Sequence, residues 1–293
     1  MVKSRISIAK SDIVKLFDEH PEKVFTLSRL HGIFERNRFD WRLAKSMSCS
    51  QFIDYLTRNS HLRRLQFDFA YRPMAVYTWG EVSIYTSLLL LKRGSYFSHY
   101  TALYFHEMTN QVPRTIYINV EQRAKPRPKG SLAQARIDAA FKRPTRLSNN
   151  IANHSDLRIC LLNGMFTGEL GVVEVDGPDG STMRATDVER TLIDIAVRPE
   201  YAGGPFEVLR AYKAAKDQIS INRLAATLKK LNYIYPYHQV VGFYLDRCGT
   251  YDKSQIALFS DRFQRKYDFY LMHQMKDFEY SRKWKLYFPK GLG

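Results

Sequence analysis

Cysteine is scarce: Cys49, Cys160 and Cys248 are the only three in 293 residues, odd in number and far apart. That usage excludes a disulfide framework and a Cys-x-x-Cys zinc site, and predicts reduced, buried thiols. Long apolar runs are missing as well. "TSLLLLKRG" strings together four leucines, far short of the roughly 18 residues of a membrane-spanning helix. The opening "MVKSRISIAKSDIVKLF" has no continuous apolar segment followed by a small-residue cleavage site, and no lipid-anchor motif is present. The expected compartment is therefore the cytoplasm, with no membrane partner. There is no H-E-x-x-H, no Cys/His cluster, no Gly-rich phosphate loop, no nucleophile elbow and no kinase motif set, and nothing calls for a cofactor or a metal. His99 and His106 lie seven residues apart, a two-turn helical spacing that more often serves packing than metal binding.

Negative charge is also in short supply. Against 45 Lys and Arg stand 29 Asp and Glu, a net charge of +16, which favours a polyanionic partner and nucleic acid first among these. Apolar residues at 45% and charged residues at 25% are ordinary for a globular chain. The length is about twice that of a typical domain, so two domains are expected, 1–80 and 81–293. No internal repeat is visible.

The first of these reads as three short helices and a hairpin. Ser11 is a candidate cap for "SDIVKLFDEHP", where Ile13, Val14, Leu16 and Phe17 form an apolar side before His20-Pro21. Thr26 caps "TLSRLHGIFERN" in the same way, with Leu27, Leu30, Ile33 and Phe34 turned inward. "MSCSQFIDYLTRNS" places Met47, Phe52, Ile53 and Leu56 toward a core, and "HLRRLQFDFA" and "RPMAVYTWG" read as a two-stranded wing. This is the layout of a winged helix-turn-helix, whose recognition helix enters the major groove of double-stranded DNA. Residues 1–80 hold 14 Lys and Arg against 8 Asp and Glu. Arg36, Arg38, Arg42 and Lys45 precede the third helix, Arg58 ends it, and Arg63, Arg64 and Arg72 lie in the wing. These are candidates to neutralise phosphates, with Ser50, Gln51, Asp54 and Tyr55 facing base edges and Gln to adenine as the best-matched pair. A protein-binding helical domain is the alternative for the same faces.

The remainder is predicted to be α+β: a larger mixed domain with a small sheet over about 115–186 and helices over about 187–265. "RTIYINVEQ" alternates Ile116, Ile118 and Val120 inward as a strand, and "RAKPRPKG" is a loop. From Arg123 to Arg146 eight Lys and Arg stand against Asp138 alone. Arg123, Lys125, Arg127, Lys129, Lys142, Arg143 and Arg146 would then add phosphate contacts without sequence choice, or simply be solvated. "LRICLLNGMF", "GVVEVDG" and "STMRAT" read as strands, with "GPDG" a turn. Five helical segments follow, from "DVERTLIDIAVR" to "SQIALFSDRF", and "RKWKLYFP" returns as a strand. An enzymatic alternative for a basic chain is a metal-dependent nuclease with Asp156, Glu174 and Asp176 on adjacent strands. "VVEVDG" lacks the accompanying Lys, so a non-enzymatic protein is expected.

"RATDVERTLIDIAVRPEYAGG" interleaves carboxylates with guanidiniums. The spacing predicts a capping box from Thr186 to Glu189, Asp187 in the first turn, and an Arg190–Asp194 pair that Arg198 extends by a turn. No carboxylate there then needs a catalytic explanation. The same segment, continued to "PFEVLRAYKAA", resembles the C-terminal domain of AbiEi antitoxins of bacterial type IV toxin–antitoxin systems. "YFSHYTALYFHEMTNQVPRTIYIN" resembles an earlier segment of that family, although Glu107 stands where the family has a small residue after the histidine. With the N-terminal hairpin, the likeness runs in order over most of residues 10–250. It implies a non-enzymatic antitoxin that represses its own operon at inverted repeats and opposes a nucleotidyltransferase-like toxin without necessarily binding it. A DNA-binding regulator with no antitoxin role is the simpler alternative.

Overall fold

The computed structural model describes residues 4–126 and 132–292. The fold is mixed α+β, in two compact units: Met1–Ser95 with Ile151–His154, and Tyr96–Asn150 with Ser155–Gly293. Arg127 and Lys129 lie outside the described residues.

In the first unit, α1 (Arg5–Ile8), α2 (Lys10–Glu19), β1 (Val24–Phe25), α3 (Leu27–Asn37), α4 (Cys49–Asn59), β2 (Leu62–Asp68), β3 (Pro73–Trp79) and α5 (Ile84–Leu89) follow in order. The strands pair antiparallel in the order β1-β3-β2, with Leu62 opposite Trp79 and Asp68 opposite Pro73. Ser11 lies inside α2 rather than at its cap, because a preceding turn, α1, is capped by Ser4 and feeds α2 through Ala9. Thr26 caps α3 as its sequence predicts, its hydroxyl accepting from the Arg29 amide. Phe17, Phe25, Leu30, Phe34, Phe52 and Leu56 are fully buried. Phe17 stacks on Trp79 at 4.7 Å, and the Trp79 indole donates to Asp18 at 2.7 Å, which ties the last strand to the first long helix.

The second unit holds β4 (Tyr96–Phe97), α6 (His99–Phe105), β5 (Thr115–Glu121) and α7 (Gln134–Phe141). After β6 (Ile151–His154), which belongs to the first unit and lies against β2, it continues with β7 (Leu157–Gly164), β8 (Val172–Asp176) and β9 (Thr182–Thr186). Within this unit the strands run β7-β5-β4-β9-β8. β5 is parallel to β7, β4 is parallel to β9, and the other two neighbours are antiparallel. Next come α8 (Val188–Val197), a 3-10 turn (Pro199–Ala202), α9 (Pro205–Ala214), α10 (Ile221–Leu231), α11 (Tyr237–Arg247) and α12 (Lys253–Asp261). A last sheet orders β10 (Phe269–Tyr270), β12 (Leu286–Pro289) and β11 (Phe278–Ser281).

α8 is the hub: α6, α9, α10 and α11 all pack on it, and every residue from Glu189 to Ala196 is buried. Its start differs from the predicted capping box. Asp187 is the N-cap and takes the Arg190 amide at 2.7 Å, while the Thr186 hydroxyl bonds Thr191 at 2.7 Å. Glu189 reaches forward to the Ser220 amide at 3.0 Å, at the start of α10, and to Arg223 at 3.2 Å. A buried carboxylate goes where unpaired donors are, and those stand at the neighbouring helix. The Arg190–Asp194 pair forms at 2.8 Å and is buried rather than exposed, its side chains 7% and 9% accessible. Among the described residues Arg198 makes no ion pair that would extend it.

Candidate nucleic-acid interface

α4 begins with a capping box: the Ser48 hydroxyl accepts the Gln51 amide at 3.2 Å, and Gln51 Oε1 accepts the Ser48 amide at 2.9 Å. Phe52, Ile53 and Leu56 anchor the inner face. Ser50, Asp54, Thr57 and Arg58 are exposed along the outer one, and Tyr55 is half-buried against the core. Reading the groove through Gln51 would require both ends of its amide, and its oxygen is committed to the cap. Gln51 is engaged in the cap in this arrangement, and Ser50, Asp54 and Arg58 are the candidates that face outward.

The basic candidates separate in a similar way. Arg38 folds back over the α3–α4 connection, its guanidinium 4.9 Å over the Phe34 ring and donating to the carbonyls of Lys45 at 3.1 Å and Met47 at 3.4 Å. It positions the loop rather than facing outward. Arg36 donates to the Gly32 carbonyl. Arg63 pairs with Glu81, and as strand neighbours Arg63 and Arg64 point to opposite faces of β2. Arg42, Lys45, Arg58, Arg64 and Arg72 are exposed, and among the described residues they have no ion-paired carboxylate. These five sit before α4, on its last turn, on β2 and beside the β2–β3 turn.

The basic stretch from Arg123 onward is not one loop. α7 occupies Gln134–Phe141 and buries Ile137 and Phe141, with Gln134 bridging to the Asp268 backbone at 2.9 and 3.0 Å. Lys142 and Arg143 lie just beyond its C-terminal end, where the helix dipole favours cations without any ligand, and Arg146 is exposed in the following segment. Arg123 and Lys125 are exposed after β5.

The nuclease constellation is not assembled. Asp156 precedes β7 at one end of the strand order, while Glu174 and Asp176 are on β8 at the other. Four strand spacings amount to about 19 Å, too far for shared ligation. Among the described residues no group of three His, Cys, Asp or Glu is placed to hold a metal ion. The two histidines also diverge. His106 Nε2 is 2.6 Å from the Thr186 carbonyl, whereas His99, with φ of 53°, contacts the Ser98 hydroxyl at 2.9 Å and the Tyr201 ring at 5.2 Å. Burial, with help from Arg190 and Arg198 and against Asp194, lowers the His99 pKa to about 4. Glu107 takes a left-handed φ of 56°, a conformation that favours glycine.

A polar network that sequence reasoning missed lies at the end of β5. Glu121 accepts the amides of Thr167 at 2.9 Å, Gly168 at 3.0 Å and Glu169 at 3.2 Å, together with the Thr167 hydroxyl. Burial pushes its carboxyl up, but these hydrogen bonds and Arg190 outweigh that and hold it below the usual value. Tyr96 donates to Glu121, and Asn119 donates to Tyr96 and takes the Gly164 amide. Arg190 closes the network on the Leu170 carbonyl at 2.8 Å.

Among the described residues no helix is long and apolar enough to cross a membrane. No family model matches the sequence, and no curated protein matches it. Among solved structures the chain is similar to the crystal structure of the RV2827C protein from Mycobacterium tuberculosis, with a TM-score of 0.61 at 16% identity over 98% of this chain and 93% of that one. At that identity the likeness is one of fold.

Proposed function

We propose that the first unit is a winged helix-turn-helix and that the chain is a DNA-binding autorepressor and antitoxin. In this reading α4 enters the major groove and the β2–β3 hairpin is the wing. One observation carries the DNA part: α4 presents Ser50, Asp54 and Arg58 on a face anchored from behind, and Arg42, Lys45, Arg58, Arg64 and Arg72 are exposed with no ion pair among the described residues. Uncompensated cations around a groove-sized helix are suited to a phosphate backbone. The α3–α4 connection, residues 38–48, is longer than the three or four residues usual in such units, and Arg38 takes up that length by tying its carbonyls down.

The antitoxin part rests on the resemblance to AbiEi proteins. Its two segments, some 65 residues apart in sequence, come together in the fold: β4 pairs with β9, α6 packs on α8, and His106 meets Thr186. The direct test is a gel shift with the DNA upstream of the gene against random duplex. Preference for the upstream sequence is expected, and equal binding would overturn the repressor reading. Co-expression with a nucleotidyltransferase encoded beside it tests the second part, where growth rescue is expected and failure to rescue leaves a plain regulator.

A further inference from the structure

The second unit carries a cleft that the operator-binding reading does not use. It lies where the chain leaves β5 and encloses about 470 Å³, within the range of small-ligand sites. Arg123, Lys125 and Lys230 reach it from two separate parts of the chain, and Met165 and Phe166 form an apolar wall, 47% and 51% exposed. Among the described residues no carboxylate lines it. Lys125 donates to the neutral Gln122 amide oxygen at 2.7 Å, which leaves its charge uncompensated, and neither Arg123 nor Lys230 has an acid partner among the described residues. Lys230 also suits the C-terminal end of α10, but that accounts for one cation of three.

The wall is held in place. Glu121, the last residue of β5, binds the amides of Thr167, Gly168 and Glu169, so Phe166 projects from a segment pinned immediately behind it. An exposed aromatic ring that stands beside a tethered backbone has less freedom to lose on stacking than one on a free loop. Cations that follow a backbone beside a fixed aromatic face are the arrangement with which proteins grip unpaired nucleotides.

We propose that this cleft binds a nucleotide, its phosphate on Arg123, Lys125 and Lys230 and its base against Phe166. The nucleotide comes either from single-stranded nucleic acid or free from solution. The cleft is built from residues other than those of α4, so this proposal and the operator-binding one fail independently.

The test uses the full chain and fluorescein-labelled single strands of roughly 12 nucleotides, DNA and RNA, followed by anisotropy and competed with AMP or inorganic phosphate. Phe166→Ala is expected to weaken strand binding about fivefold or more, the loss of one stacked base. Arg123→Glu with Lys230→Glu should weaken it further and flatten its salt dependence, and Phe166→Ala should bind duplex as the parent does. Displacement by AMP that Phe166→Ala abolishes identifies a free nucleotide; strand binding that resists AMP identifies a polymer. The proposal is overturned if Phe166→Ala is neutral while the charge reversals matter, since that describes a bare anion site. It is equally overturned if phosphate competes as well as AMP, or if strand binding is lost only on substitution of Arg58 and Arg64.

Discussion

Salt dependence tests the interface at α4 most directly, because the structure supplies the number of cations. Arg42, Lys45, Arg58, Arg64 and Arg72 are exposed without an ion pair among the described residues, whereas Arg38 and Arg63 are engaged within the protein. If each of the five neutralises one phosphate, the logarithm of affinity should fall with the logarithm of salt at a slope of about −4.5, roughly 500-fold between about 50 and about 200 mM. Replacing Arg58 and Arg64 together by Ala should bring the slope to about −2.7 and the loss to roughly 40-fold. Both side chains are exposed, so thermal unfolding should be nearly unchanged. Fluorescence anisotropy on a random duplex is the right assay, since this term carries no sequence information. A dimer on an inverted repeat would double both slopes and leave their ratio intact. A slope that the double variant does not alter would refute the reasoning and move the contact elsewhere, with Lys142, Arg143 and Arg146 as the next charges to reverse.

Three further outcomes follow from the geometry. Gln51→Ala should cost about 0.3–1.5 kcal/mol of stability in chemical denaturation through the lost capping box, with DNA affinity of the folded protein unchanged; a large affinity loss at full folding would restore Gln51 as a base reader. Arg190→Met strands Asp194 in the interior and should cost about 3–5 kcal/mol, much of it recovered when Asp194→Leu is added; additive losses in denaturant melts would refute coupling of the pair. His99 has its pKa at about 4 in the fold against 6.5 unfolded, so the unfolded chain takes up the proton first. Its contribution is complete above about pH 6.5 and disappears as pH falls toward 4, a change of up to about 3 kcal/mol that His99→Gln should remove from a stability–pH profile.

Where the apolar period ran for three turns or more, sequence and structure agree closely. α8 to α12 occupy the five segments read as helical, and β2 with β3 form the expected hairpin, with Phe69 to Arg72 between the strands. β1, β4 and β10 are two residues each, too short to carry a period, and exist only because neighbouring strands complete them. α7 was hidden by the prolines and charges before it, though Ile137 and Phe141, four apart and both buried, were its signal. The candidate interface was harder to read. Arg38 and Gln51 have the residue types that meet DNA, but a guanidinium beside unpaired carbonyls and an amide three residues after a capping serine are first drawn into the fold. Residue type lists what can bind; only the local partners determine which groups remain free.

The charges of the opening of α8 illustrate the same principle from the inside. They read as a solvated helix entrance, yet Glu189, Arg190 and Asp194 are buried, and each is satisfied by a residue distant in sequence or by its own helix. The segments that resemble antitoxins therefore supply much of the framework of the second unit: β4, β5 and α8 hold Tyr96, Asn119 and Arg190 in one network with Glu121, two residues past the first segment. The proposed operator contacts lie outside those segments, so α4 can change its DNA sequence without disturbing the framework. The cleft is different. Arg190 also reaches the Thr167 hydroxyl at 3.3 Å, and Thr167 holds Glu121 behind Phe166. A substitution that loosens the network thus loosens the aromatic wall, whereas one on α4 does not. Arg190→Met, measured while the protein remains folded, should accordingly weaken single-strand binding and leave duplex binding unchanged; the opposite pattern would separate the cleft from the framework that is argued to hold it.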